Sequence, residues 1–223
     1  MKMTEDNEKL NVKAEGTGRI ETLADGIFAI AMTLLVLTIQ IPKIPSERVA
    51  VELPRYIYRL WPQLTQYVIA FITLASFWMG HHVQFKYIRR STSTLLWLNI
   101  YALMLAALIP FTTEIMGDYG QVPIAARLFE VNLLLAGLAF YWQWHYASHN
   151  HRLISPDLDP LIIKTIRQST LIIPALSLIA LVISIFAPSW STTVYILIPF
   201  LYHRDRLKRR LLPGATILNS KRR

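Results

Sequence analysis

Residues 19–40 read Arg19-Ile-Glu-Thr-Leu-Ala-Asp25-Gly-Ile-Phe-Ala-Ile30-Ala-Met-Thr33-Leu34-Leu-Val-Leu37-Thr-Ile-Gln40. Between Asp25 and Lys43, the run Gly26–Pro42 holds 17 residues without a charge. A bilayer core about 30 Å thick takes about 20 apolar residues in helix. This run therefore crosses if its helix begins near Arg19, with Gly16 and Gly18 as a flexible approach. The pattern repeats along the chain. Uncharged runs cover Leu60–Phe85, Ser91–Thr113 and Val131–Asn150. The helix of the last begins near Pro123, so Arg127 and Glu130 fall in its first turns. A final run, Gln168–His203, has 36 residues. That is too long for one span at a rise of about 1.5 Å per residue. Ala187-Pro188-Ser189-Trp190 divides it, because proline lacks an N–H donor and disfavours helix in the residue before it. The reading is an all-α integral membrane protein with six transmembrane helices, the sixth and shortest at about Pro188 to His203.

Composition agrees. The chain is 53% hydrophobic and 17% charged, against about 25% charged in soluble domains. Disorder is excluded by that apolar content. A net charge of +9 would suit nucleic acid, but the apolar runs are too long for a soluble nucleic-acid binder, so none is expected as a partner. With no cysteine, disulfide frameworks, thiolate metal sites and cysteine nucleophiles are excluded. Residues 1–18 are polar and lack the apolar stretch of a cleavable signal. The chain divides into a polar N-terminal segment (1–18), a six-helix membrane domain (19–203) and a basic C-terminal tail (204–223).

Orientation comes from lysine and arginine, which concentrate on the cytosolic side. With the N-terminus inside, 18 of the 23 basic residues lie in inner segments and four, Lys43, Arg48, Arg55 and Arg59, lie in the outer segment 42–59. Both termini are then cytosolic. The inner clusters, Lys208-Arg209-Arg210 among them, face anionic lipid headgroups.

Three motifs carry a resemblance. Arg19-x-x-x-Leu-Ala-Asp25 opens the first span, Trp78-Met-Gly-His81 lies in the second, and Trp97-Leu-Asn99 leads to Ile109-Pro110-Phe111-Thr112 in the third. In this order they resemble the prokaryotic branch of the transmembrane-protein-175 potassium channels, whose signature is Arg-x-x-x-Phe-Ser-Asp. Leu23 and Ala24 replace the Phe and Ser. The resemblance implies a homotetramer of six-helix subunits in a prokaryotic plasma membrane, whose first helices line a central pore. It implies a moderately selective potassium channel, narrowest at the aliphatic residue eleven positions after the signature Arg, which is Ile30. Thr33, Leu34 and Leu37 would carry the next pore turns.

Periodicity adds an independent statement: positions 30, 33, 34 and 37 share one helix face. Such a stripe also suits lipid or a neighbouring helix. A ring of aliphatic side chains narrows a path and gates it by dewetting. The only cofactor-like species expected is the permeant K⁺. Behind the pore, Arg19, Asp25, Trp78, His81 and Asn99 are candidates for a hydrogen-bonded network bracing the first helix against the second and third.

Other chemistries are weaker. His145 and His149 are four apart and near His151, a spacing that can share a metal, and His81 or His82 with His145 could hold haem. No acidic residue lies between the clustered histidines, and a solvated cluster is the plainer reading. A proton-conducting channel or a secondary cation transporter is the alternative function. Against a transporter stand the lack of an internal repeat and of acids deep in the spans, since Glu114 and Asp118 fall near the outer end of the third. No nucleophile elbow, phosphate loop or paired carboxylates indicate an enzyme.

Overall fold

Residues 19–34 lie within one long helix. In the computed structural model, which describes residues 2–40 and 44–202 with side chains from Thr17 onward, α1 runs Lys2–Leu34 and tightens into a 3-10 turn at Leu35–Thr38. It thus begins well before Arg19. Gly16 and Gly18 do not break it, because a glycine costs a helix only about 1 kcal/mol. Its sides divide sharply. Ile20, Ala24, Phe28, Ala31 and Leu35 are buried, while Leu23, Ile30, Leu34 and Leu37 are exposed.

Among the described residues, five helical segments are long and apolar enough to cross a membrane: Thr17–Thr38, Trp61–Tyr87, Ser93–Tyr119, Pro123–His151 and Pro160–Phe186. The protein is an all-helical membrane protein. The second span is one helix, α3 (Trp61–Tyr87), and the fourth is α6 (Pro123–Ser148), with Pro123 opening its first turn. The third is α4 (Ser93–Ala107) and then α5 (Ile109–Tyr119). The fifth is α7 (Pro160–Thr170) and then α8 (Ile172–Phe186). The fifth therefore starts well before Gln168, because Asp159 caps α7 by accepting from the Leu161 N–H at 2.8 Å. Lys164 and Arg167, which precede the uncharged run, consequently lie in helix.

The expected sixth span is not among these five. Ala187 leaves helical geometry (φ −144°, ψ 73°) just before Pro188. Beyond it come one turn, α9 (Pro188–Ser191), a 3-10 stretch Thr192–Leu197 and helical residues to Tyr202. This is shorter than the about 20 residues a crossing needs. His203 and the basic tail 204–223 lie outside the described residues. The segment 42–59, expected as a loop, contains α2 (Val49–Arg59). Val49, Leu53 and Ile57 fall on one side of α2, and Glu52, Arg55 and Arg59 on another, with none of its residues buried.

α6 is the centre of the bundle, packed against α8, α4 and α5. Its buried face carries Ala126, Phe129, Leu133, Ala136 and Phe140. Small residues let membrane helices approach closely, since apolar lipid gives little hydrophobic drive for association. Gly137 is the closest case: a Cβ there would stand 2.7 Å from the Pro174 ring on α8. Gly137→Ala is therefore expected to cost about 1–3 kcal/mol by overpacking. Thermal unfolding in detergent measures this, and an unchanged midpoint would mean that α6 and α8 separate freely. A second apolar cluster, including Ile20, Phe85, Trp144 and Ile154, closes the end of the bundle where α3 finishes. There the Arg89 N–H donates to the Leu153 carbonyl at 2.7 Å.

Candidate ion pathway and its supports

The two sides of α1 have different surroundings. The buried side is held by its neighbours. Ala24 and Ala31 are small enough for close approach, and Phe28 stacks on Phe140 of α6 at a centroid distance of 6.1 Å. Phe28 also meets the His81 ring of α3 at 6.2 Å. One turn toward the helix start, the Trp78 Nε1–H donates to Asp25 Oδ1 at 2.8 Å. An indole has a donor and no acceptor, so a carboxylate is its natural partner.

His81 is buried at 2% exposure. Its Nε2 lies 2.9 Å from Asn99 Oδ1, so with the amide oxygen as acceptor the ring carries its proton on Nε2. The ring stacks on Phe85 at 4.4 Å. Four of the five polar candidates thus form two separate pairs, Asp25–Trp78 joining the first span to the second and His81–Asn99 joining the second to the third. Arg19, the fifth, is exposed and enters no ion pair among the described residues. His82 is exposed and stacks on Trp78.

On the opposite side, Ile30 is 61% exposed, Leu34 43% and Leu37 69%. Thr33 is exposed too, and its hydroxyl donates to the Ile30 carbonyl at 2.8 Å. That bond uses the hydroxyl proton and leaves the oxygen lone pairs able to accept. Along one side of α1 and the turn that follows it, then, the chain presents three aliphatic side chains and one hydroxyl that it does not itself cover.

Polar groups deeper in the bundle escaped the sequence reading. Glu130, read as a first-turn residue, is fully buried, and neither carboxyl oxygen has a hydrogen-bond partner among the described residues. The hydroxyls of Ser184 and Ser191 lie beside it, yet donate to the Leu181 and Pro188 carbonyls. An acid is therefore present inside the span region, against the expectation that none is. Ionisable residues inside membrane spans are functional candidates by default, and that rule applied to the apolar run after Pro123 would have flagged it. Gln143 and Gln84 also meet in the interior, Gln143 Nε2 donating to Gln84 Oε1 at 3.2 Å. No periodic signal marks them, because single amides in apolar helices look alike whether buried or interfacial.

The histidine cluster keeps two members in contact. The His145 and His149 rings are 5.5 Å apart. His151 sits beyond the left-handed Asn150 (φ 51°) and is itself left-handed (φ 51°). Among the described residues no group of three or more His, Cys, Asp or Glu side chains converges as metal ligands do.

The geometry defines a multi-pass helical membrane protein whose first span is braced on one side and bare on the other. Comparison with known proteins gives the class a family. Residues 19–110 match the family described as endosomal/lysosomal potassium channel TMEM175. A potassium channel of Streptomyces collinus is 31% identical over 147 residues, 64% of this chain and 70% of that one. The crystal structure of a lysosomal potassium-selective channel TMEM175 homolog from Chamaesiphon minutus is similar with a TM-score of 0.74 at 28% identity, covering 86% of this chain and 98% of that one. A human relative, named an endosomal/lysosomal proton channel, is 26% identical over 211 residues, 88% of this chain and 41% of its own length. The chain belongs to the TMEM175 family, a family of ion channels and not of enzymes.

Proposed function

We propose that the chain is a subunit of a moderately selective potassium channel in a prokaryotic plasma membrane, with both termini in the cytosol. Four copies surround a pore lined by the bare side of α1, and anionic lipids meet the basic cytosolic face. The observation that carries the reading is that Ile30, Thr33, Leu34 and Leu37 are all exposed on a helix whose other side is buried. The potassium-channel relatives support the choice of ion.

Ile30 forms the constriction. A ring of isoleucine side chains offers no ligands, so it holds the path dry until the helices part. The Thr33 oxygens, one turn along, supply a partial replacement for the hydration shell of an ion that has passed the ring. Discrimination then comes from dehydration cost and is moderate. Asp25–Trp78 and His81–Asn99 hold α1 in place behind the path, while Arg19 stands outside both pairs.

The name of the human relative favours a second reading, proton conduction, and Glu130 adds a buried carboxyl that the first reading does not use. One experiment separates the two. Protein reconstituted in liposomes is given K⁺, Na⁺ and proton gradients in turn. Flux that is largest for K⁺ and needs no counter-ion is the expected result. Proton flux without K⁺ flux would select the second reading, and saturating flux that needs a counter-ion would select a transporter.

A further inference from the structure

A cavity of about 750 Å³ opens at the end of the bundle where α3 begins and α5 finishes, beside α9. The distribution of basic residues makes this the outer end. Arg59 and Asp118 both line it. They carry opposite charges, yet neither enters an ion pair among the described residues. Asp118 Oδ1 accepts from Gln63 Nε2 at 2.6 Å. Two of the lining residues carry a buried amide atom with no partner among the described residues: Gln63 Oε1, an acceptor, and Gln66 Nε2, a donor on a side chain 4% exposed. Leaving such atoms buried and unmade costs about 1–3 kcal/mol each. Trp61 and Trp190 line the same cavity and are largely exposed.

Opposite charges held apart in one cavity fit a ligand with its own separated charges. The anion belongs on Arg59, whose fork suits phosphate. The cation belongs on Asp118, in a cavity that Trp61 and Trp190 also line. Tryptophan at a span end marks the headgroup level of the bilayer, which makes a lipid the source.

We propose that this cavity binds the headgroup of a phosphatidylethanolamine-class lipid of the outer leaflet, with its phosphate on Arg59 and its ammonium on Asp118. The assignment is independent of which ion the protein conducts.

The test uses the full chain in nanodiscs of equal phosphatidylethanolamine and phosphatidylglycerol, with retained lipids counted by native mass spectrometry. Wild type is expected to retain phosphatidylethanolamine at least about fivefold over phosphatidylglycerol, about 1 kcal/mol of preference. Asp118→Asn keeps an acceptor for Gln63 Nε2 but loses the charge, and should level the two lipids. Arg59→Gln should lower the retention of both. Soluble phosphoethanolamine at millimolar concentration should displace nothing. Equal retention of the two lipids by wild type overturns the proposal, as does a preference that survives Asp118→Asn. Displacement by soluble phosphoethanolamine would overturn the lipid source and assign the cavity to a free zwitterion. The melting midpoints of both variants identify any loss that comes from unfolding.

Discussion

Ile30→Asn is expected to raise resting cation flux through reconstituted protein by about tenfold or more, and to bring the K⁺ over Na⁺ preference close to unity. Ile30 is 61% exposed and braces nothing in its own chain, so the substitution leaves the fold intact and the melting midpoint nearly unchanged. In the proposed pore it alters the wall of the path instead. An aliphatic ring excludes water because it offers no hydrogen bonds, whereas an asparagine amide offers both donors and acceptors. A wetted constriction no longer requires an ion to shed its shell, which removes both the barrier and the discrimination that came with it. A tenfold change in flux is about 1.4 kcal/mol of barrier, a modest demand on one altered side chain in each chain. Ile30→Val, which keeps the ring dry, should change flux little. Unchanged flux in Ile30→Asn would move the constriction elsewhere on α1.

The second large effect concerns stability. His81→Phe preserves the aromatic stack on Phe85 but strands the buried Asn99 amide, which has lost its partner at 2.9 Å. An unsatisfied buried polar group costs about 1–3 kcal/mol, whereas replacing both partners by apolar groups of similar shape is nearly neutral. His81→Phe alone should therefore lower the thermal midpoint in detergent, and Asn99→Leu added to it should recover most of the loss. A double variant that is stable and still conducts K⁺ would make this pair a brace. A double variant that is stable but silent would give the imidazole a part in opening the path. Additive losses would instead mean that the two side chains are not coupled at all.

Much of the fold was legible in one dimension because lipid imposes simple arithmetic. The uncharged runs located five crossing segments, and Pro188 located the end of the fifth. The misplacements have physical causes. α1 starts at Lys2 and not near Arg19, because polar helix formers carry the helix beyond the apolar run. α2 was missed because Val49–Arg59 mixes apolar and charged residues and looks like a connector until its sides are separated. The stripe Ile30-Thr33-Leu34-Leu37 was readable from spacing as one helix face, but spacing alone does not say whether lipid, a helix or water meets it. The Asp25–Trp78 and His81–Asn99 pairs join residues 53 and 18 positions apart, and their partners were anticipated from motif resemblance, not from local pattern. For Glu130 a first-turn position suggests an interface, and only the packing of α8 and α9 around it makes it interior.

The two broken spans have a mechanical consequence. α4 gives way to α5 at Leu108, and α7 to α8 at Leu171, with a proline within three residues after each break, Pro110 and Pro174. Proline removes one rung of the backbone ladder, so each span has a weak joint partway along, while α6 runs unbroken between them. Load applied at one end of the bundle thus meets a rigid mast and two jointed stays. Bending is expected to concentrate at Leu108 and Leu171, where α5 and α8 continue the two spans, while Asn99 on α4 keeps its bond to His81 on α3.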